Sequence, residues 1–188
     1  MMQSDIIERD TFYVLTGGPG VGKTTLLHKL ETYGYKIVPE VAREIIRHQM
    51  ETGGEGLPWK NKEYYTTLML NGSVKSYLDT SRSFTGKTVF FDRGIPDTFC
   101  YARMIEMELP EEMTGEAFRC RYNKHVFLLP AWKEIYETDT ERKQDWDEAV
   151  YTYEMMKKTY LEYNYNVIEV PKDSVDVRAR FILGHIKK

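Results

Sequence analysis

Cysteine is almost absent from this sequence, which has two in 188 residues, Cys100 and Cys120. Two isolated cysteines are too few for a disulfide framework or a metal cluster, and free thiols are typical of a reducing compartment. Long apolar runs are missing as well, since none approaches the 18 residues of a membrane-spanning helix. Residues 1–10 are polar and acidic, which argues against a signal peptide. We therefore expect a cytoplasmic protein with no membrane contact.

The chain also lacks an excess of positive charge. It has 26 Lys and Arg against 29 Asp and Glu, a formal net charge of −3, so nothing in its overall charge attracts nucleic acid or an anionic membrane. We expect no nucleic-acid partner. The 41% hydrophobic content is ordinary for a globular protein. The length favours a single domain over residues 1–188, with a short N-terminal tail at 1–10.

What the sequence does contain is a phosphate-binding loop. Residues 16–25 read TGGPGVGKTT, with four residues between Gly17 and Gly22 and then Lys-Thr, which is the P-loop pattern. An apolar strand at 11–15 precedes the loop, and a helix with leucines at helical spacing follows it at 24–33. The predicted nucleotide-binding residues are Gly18, Pro19, Gly20, Val21, Gly22, Lys23, Thr24 and Thr25.

The chemistry of a phosphate site explains these residue types. Glycines let the backbone curl so that successive N–H groups surround a phosphate, and the helix that starts at the loop adds its positive dipole end. Lys23 can reach the β- and γ-phosphates, the Thr24 hydroxyl can bind Mg²⁺, and Thr25 offers a further hydroxyl to the α-phosphate. The pattern predicts Mg·ATP as the cofactor and leaves GTP open.

Buried-type strands alternate with helices along the rest of the chain, which predicts an α/β fold: a three-layer P-loop domain with a mostly parallel five-stranded sheet. Ligands of such sheets bind beyond the carboxyl ends of the strands. The predicted strands lie at 11–15, 35–40, 88–94, 125–130 and 166–171. The predicted helices lie at 24–33, 41–52, 61–83, 97–107, 111–122 and 147–163, with a last one that starts at Asp173 or Ser174.

A second motif ends the third predicted strand. The run Val89-Phe90-Phe91-Asp92 delivers a carboxylate to a strand tip, which is the form of a Walker B strand. Beside the P-loop, Asp92 would help to hold Mg²⁺ or take a proton from an acceptor hydroxyl. Arg93 is a candidate phosphate clamp, and a salt bridge to a nearby carboxylate is the alternative. Asp97 is expected to cap the following helix.

Three residues are candidates for binding an acceptor substrate. Glu40 ends the second predicted strand, and Arg43 follows one helical turn later, so both can face one pocket; a surface ion pair between them explains the spacing as well. Trp59 follows a glycine-rich loop and can stack on a planar base, although ordinary packing accounts for a lone tryptophan equally well.

Residues 131–146 are charged and lack apolar periodicity, so we predict a loop that closes over the site as a lid. An arginine from such a segment can stabilise the charge that develops in phosphoryl transfer. Arg142 is the candidate here, and a solvated charged loop is the alternative.

Taken together, these blocks resemble a P-loop family labelled AAA that is related to the nicotinamide riboside kinase domain of bifunctional bacterial NAD-metabolism proteins. The likeness runs from about residue 11 to residue 188. It implies a kinase-like fold with strand order 2-3-1-4-5, Asp92 as the catalytic or metal-linked carboxylate, and Glu40 and Arg43 facing the acceptor. The blocks that carry it are residues 14–25, 39–44, 90–94 and 126–130, with Tyr136, Asp139, Glu141 and Arg142 in the lid.

Three functions fit these features to different degrees. The first is a small-molecule kinase for a nucleoside or nicotinamide-riboside-like acceptor, in which lid closure suppresses hydrolysis. The second is a nucleotide-binding switch or slow NTPase that acts through a protein partner. The third, a polynucleotide kinase, is disfavoured by the net charge of −3. The motifs favour the first.

Overall fold

A five-stranded parallel sheet forms the centre of the computed structural model, which describes residues 6–135 and 146–186. Every residue of the P-loop strand is buried, as expected for a parallel strand that is covered on both faces. The strands in these ranges are β1 (Ile7–Glu8), β2 (Phe12–Gly17), β3 (Lys36–Val38), β4 (Val89–Asp92), β5 (Cys120–Arg121), β6 (His125–Leu129) and β7 (Asn166–Glu169).

The strand order across the sheet is β3-β4-β2-β6-β7, and every neighbouring pair is parallel. Counted among themselves in chain order, the five strands read 2-3-1-4-5, the order that the family resemblance implied. Because β2 lies between β4 and β6, the loop after β2 has the tip of β4 as its immediate neighbour. Leu15 is in register with Asp92, which brings the two predicted motifs together.

Helices cover both faces of the sheet. The helices are α1 (Lys23–Thr32), α2 (Val41–Thr52), α3 (Lys62–Ser83), α4 (Ile95–Met104), α5 (Glu111–Arg119), α6 (Trp146–Glu162) and α7 (Val175–His185). Side chains of β2 alternate between the two faces: Phe12 and Val14 pack with α3, α4 and α5, whereas Tyr13 and Leu15 pack with α1 and α7. Helix α6 packs beside α4 through Met156. None of these helices is apolar enough over a sufficient length to cross a membrane.

Two local predictions were wrong. Residues 1–10 are not simply a tail, because Ile7–Glu8 forms strand β1 and pairs with β5. The helix predicted to reach residue 122 ends at Arg119, since the next two residues belong to β5. The Tyr77 hydroxyl lies 2.8 Å from a carbonyl oxygen on each of these short strands and holds the pair against α3. This contact joins residues that are far apart in the chain, so no local sequence pattern predicts it.

Candidate functional site

The P-loop adopts a conformation that glycine makes possible. Gly20 and Gly22 have φ angles of 75° and 76°, in the left-handed region that other residues rarely adopt. Gly22 is also the N-terminal cap of α1, and no side chain makes a capping hydrogen bond there. The N–H groups of the first helical turn are therefore available to an anion. The side chains of Thr24 and Thr25 are exposed beside them.

Lys23 joins the loop to the Walker B strand. Its Nζ contacts the carboxylate of Asp92 and lies 3.9 Å from Glu40 Oε2. Lys23 is only 6% exposed, and burial, together with the positive charge of Arg93, lowers its pKa, while the two carboxylates act in the opposite direction. The lysine is thus a buried cation that two acidic side chains stabilise. A bound phosphate would have to compete with Asp92 for it.

Glu40 is the centre of a charged cluster that the fold assembles from three elements. Its Oε1 accepts a hydrogen bond of 2.7 Å from Arg93 Nε, and its Oε2 accepts one of 2.9 Å from Arg43 Nε. Burial disfavours the charged form of Glu40, but Arg93, Lys23 and Arg43 outweigh it and lower the pKa of Glu40 to about 2. Glu40 is therefore an anion at every physiological pH.

Arg93 is held from a second side by Asp97. The Arg93 backbone has a φ of 71°, which is uncommon for a residue with a side chain, and its Nη1 donates to Asp97 Oδ1 over 3.2 Å. Asp97 is 8% exposed and also accepts hydrogen bonds from the Gly94 N–H, at 2.8 Å, and from the hydroxyls of Thr16 and Tyr160. Two carboxylates, Glu40 and Asp97, thus fix the direction of the guanidinium.

The sequence suggested only part of this role for Asp97. The expected cap is present, because its carboxylate binds the Gly94 N–H, but α4 already begins at Ile95 and not at Asp97. The contacts to Thr16 on β2 and Tyr160 on α6 come from 81 and 63 residues away in the chain. Asp97 therefore links the P-loop strand, the helix after Walker B and the helix after the lid segment.

We predict that Asp97→Asn destabilises the fold far more than a matched surface change. The amide cannot accept the four hydrogen bonds that the carboxylate accepts, so buried donors lose their partner and the free energy of unfolding falls by about 2–4 kcal/mol. Urea denaturation measures the loss. Asp79→Asn is the control, because the Asp79 carboxylate makes only exposed i,i+4 and i,i+3 ion pairs with Lys75 and Arg82. Its loss should leave the free energy of unfolding almost unchanged. Equal losses in the two variants would contradict the structural role of Asp97.

An aromatic pair that the sequence did not single out lies near Glu40. The rings of Tyr65 on α3 and Tyr101 on α4 meet edge to face with centroids 5.7 Å apart. Burial raises the pKa of Tyr65, and Tyr101 and the negative charge of Glu40 raise it further, so its hydroxyl stays protonated. This pair adds an apolar wall and a neutral hydroxyl to the Glu40 side of the site. Tyr65 recurs with other apolar residues along α3, so in the sequence it is indistinguishable from core.

The remaining predicted residues lie at the margin of this cluster or beyond the part of the chain that is described. Arg43 is largely exposed apart from its bond to Glu40. Trp59 is 64% exposed, and over residues 6–135 and 146–186 no hydrogen bond or ring contact joins it to the charged cluster. Arg142 lies outside the described residues, as do Tyr136, Asp139 and Glu141. The first part of the lid segment is described and forms a 3₁₀ turn, Lys133–Ile135.

The residues present fit a magnesium ion that is shared with a nucleotide. The Thr24 hydroxyl at the start of α1 and the Asp92 carboxylate at the tip of β4 offer oxygen atoms that could bind a metal from adjacent elements, and Lys23 bridges these elements. In the described ranges no group of three or more His, Cys, Asp and Glu residues could hold a metal by itself. Mg²⁺ commonly binds proteins through one or two oxygen ligands and completes its shell with phosphates and water.

The fold and the loop define a P-loop nucleotide-binding protein of the three-layer α/β class. The chain belongs to the AAA domain family, which matches residues 12–178. No curated protein sequence shows significant similarity to it.

Several solved structures share the fold. Deoxyadenosine kinase from M. mycoides, with bound dATP, is 14% identical with a TM-score of 0.57, and the similarity covers 93% of this chain and 97% of the kinase. Thymidylate kinase from Ehrlichia chaffeensis is 15% identical with a TM-score of 0.59, over the same shares of the two chains. The NadR protein in complex with NR is 17% identical with a TM-score of 0.66, over 95% of this chain and 53% of NadR. At these identities the likeness concerns the fold.

Proposed function

We propose that this protein is a Mg·ATP-dependent kinase that phosphorylates a hydroxyl of a small nucleoside-like or nicotinamide-riboside-like acceptor. One observation carries the proposal: Lys23, Glu40, Asp92 and Arg93 form a single connected group beside the P-loop. These four residues come from the ends of two strands, β3 and β4, and from the start of helix α1. A structural ion-pair network has no need to form at a phosphate-binding loop, whereas phosphoryl transfer requires charges there.

On the nucleotide side, Gly18 and residues 20–22 supply backbone N–H groups to the phosphates, and Thr25 adds a hydroxyl. Lys23 leaves Asp92 and neutralises the terminal phosphates. Thr24 and Asp92 would hold Mg²⁺, which supplies Lewis-acid stabilisation of phosphate charge when it is bound. GTP fits the same phosphate contacts, because none of these residues reads a base.

On the acceptor side, Asp92 takes the proton of the attacking hydroxyl. Glu40, whose charge is fixed by its cationic neighbours, orients the acceptor together with Arg43 and the Tyr65 hydroxyl. Arg93, held between Glu40 and Asp97, steadies the migrating phosphoryl group, and Arg142 of the lid segment assists it. These roles are positional and electrostatic, as phosphoryl transfer demands.

The structural neighbours support the substrate class. Two are kinases whose names specify a nucleoside and a nucleotide, and the third binds NR. All three match 93% or more of this chain in fold, which supports a kinase-like arrangement of the whole domain. The aromatic pair Tyr65 and Tyr101 beside Glu40 suits a ligand with a planar ring.

A panel assay tests the proposal. The protein is incubated with Mg·ATP and single candidates from a set of nucleosides, nicotinamide riboside and other small alcohols, and products are identified by mass spectrometry alongside ADP release. We expect one class of acceptor to gain a phosphate in step with ADP, and only slow hydrolysis without acceptor. ADP release with no phosphorylated product from any candidate would contradict a kinase and favour an NTPase that works through a protein partner.

A further inference from the structure

Arg178 is a buried cation that the proposed reaction does not use. It lies in the first turns of α7 and is only 4% exposed. Its Nη2 donates a hydrogen bond of 2.9 Å to the carbonyl oxygen of Val21, while its Nε is buried without a partner. The ring of Trp132 lies 5.6 Å from the guanidinium carbon. In the part of the chain that the structure describes, the Arg178 guanidinium therefore has one neutral hydrogen-bond acceptor and one aromatic ring as its partners.

Among residues 6–135 and 146–186, no carboxylate balances the positive charge of Arg178. The other buried cations of the site each have an acidic partner: Asp92 for Lys23, and Glu40 and Asp97 for Arg93. Across the described ranges no carboxylate oxygen lies within 4.0 Å of the Arg178 guanidinium. Burial alone accounts for the lowered pKa of Arg178, with no neighbouring charge to offset it. An unpaired buried charge is costly, so its retention favours an anionic partner that the described residues do not supply.

The guanidinium is placed against the phosphate loop. A Cβ atom added to Gly22 would lie 2.9 Å from Arg178 Nη1 and 3.6 Å from Ile135 Cδ1. The left-handed φ of Gly22 favours glycine, and a side chain at this position would also push the Arg178 guanidinium away from the loop. Val21 and Gly22 are the last two residues before Lys23, so Arg178 reaches the loop at the point where it turns into α1. Trp132 and Ile135, from the start of the lid segment, pack at the same place.

We propose that Arg178 is a nucleotide-binding residue that contacts the phosphate groups of a nucleoside polyphosphate held in the P-loop. The phosphate supplies the negative charge that the described part of the chain does not. Trp132, at the start of the lid segment, packs against the guanidinium. The inference rests on phosphate binding by the P-loop, which the proposed function includes, and not on the kinase reaction.

Substitutions separate this role from that of a structural brace. Arg178→Met removes the charge and keeps an apolar side chain, and Arg178→Gln keeps a donor for the Val21 carbonyl without the charge. Arg180→Met is the control, because Arg180 is an exposed arginine on the same helix. Isothermal titration with metal-free ATP, tripolyphosphate and adenosine measures binding, and the melting temperature of the nucleotide-free protein measures stability.

We expect Arg178→Met and Arg178→Gln to bind ATP and tripolyphosphate about ten- to a hundredfold more weakly than the parent protein and Arg180→Met. The nucleotide-free melting temperature of Arg178→Met should stay unchanged or rise, because an uncompensated charge has been removed. Any weakening for adenosine should be smaller than that for tripolyphosphate.

Three results would overturn the inference. Unchanged tripolyphosphate affinity in Arg178→Gln would show that the charge has no anionic ligand. A lowered melting temperature of Arg178→Met with parental affinity would make the residue a brace for Val21. A loss of affinity that is confined to adenosine would indicate that Arg178 contacts the nucleoside and not the phosphates. If the parent protein binds ATP but phosphorylates no acceptor, only the kinase proposal fails; if it binds neither ATP nor tripolyphosphate, both fail.

Discussion

Replacing Lys23 by methionine is expected to weaken ATP binding by about a hundredfold, or about 2.7 kcal/mol, and to abolish measurable phosphotransfer. The ammonium group is the only cation that the P-loop itself contributes, and a charge-assisted hydrogen bond to a terminal phosphate has no substitute in a thioether. Isothermal titration with ATP gives the affinity, and the acceptor assay gives the turnover.

Lys29→Met is the matched control for this prediction. Lys29 lies on the same helix and its Nζ is 2.6 Å from Asp176 in an ion pair at the surface. Its loss should change neither affinity nor turnover by more than about twofold. Circular dichroism should show that both variants are folded, since methionine fills most of the buried volume of Lys23. ATP affinity in Lys23→Met equal to that of the control would refute the P-loop assignment.

Replacing Asp92 by asparagine is expected to lower turnover by about a hundred- to ten-thousandfold, the usual range for removal of a catalytic base. When metal is absent, the same substitution should strengthen ATP binding, although it lowers turnover. Asp92 now holds Lys23 and repels an incoming phosphate, so the variant should bind ATP in EDTA roughly two- to fivefold more tightly. Magnesium should then add little affinity, because one of its proposed ligands is missing.

Titrations with ATP in EDTA and in Mg²⁺, combined with single-turnover assays, measure the two effects separately. The double variant Lys23→Met with Asp92→Asn completes a double-mutant cycle. In it, Asp92→Asn should no longer strengthen metal-free ATP binding, because Lys23, which the substitution frees from Asp92, is absent. Weaker metal-free binding by Asp92→Asn, or turnover within a few-fold of the parent protein, would rule out the proposed role of Asp92.

The parts of this protein that were predictable share a local signal. The P-loop was recognisable because four residues separate Gly17 from Gly22 between an apolar strand and a helix. Helices α2 and α3 were predicted with their correct bounds, to within a residue, since Asn61 caps α3 and a glycine follows α2. Asp92 was identified as a candidate site residue because it places a carboxylate at the end of an apolar strand. In each case spacing and residue type within about ten positions carry the information.

The parts that were not predictable depend on partners far apart in the chain. Arg93 was expected to bind either phosphate or a carboxylate, and only the approach of α2 and α4 to the β4 tip decided that Glu40 and Asp97 hold it. The aromatic pair Tyr65 and Tyr101 becomes part of the site only because α3 and α4 pack side by side.

The sequence by itself thus determined the α/β class, the phosphate loop and the carboxylate beside it, because these depend on backbone conformation and on the period of apolar residues. Only the tertiary structure decided that Asp97 joins three elements. It also decided that Arg178, 157 residues after the Val21 carbonyl that it binds, lies at the loop with no acidic partner among the described residues. Charge pairing is decided by distance in space and by burial, and neither quantity can be read from the order of residues along a chain.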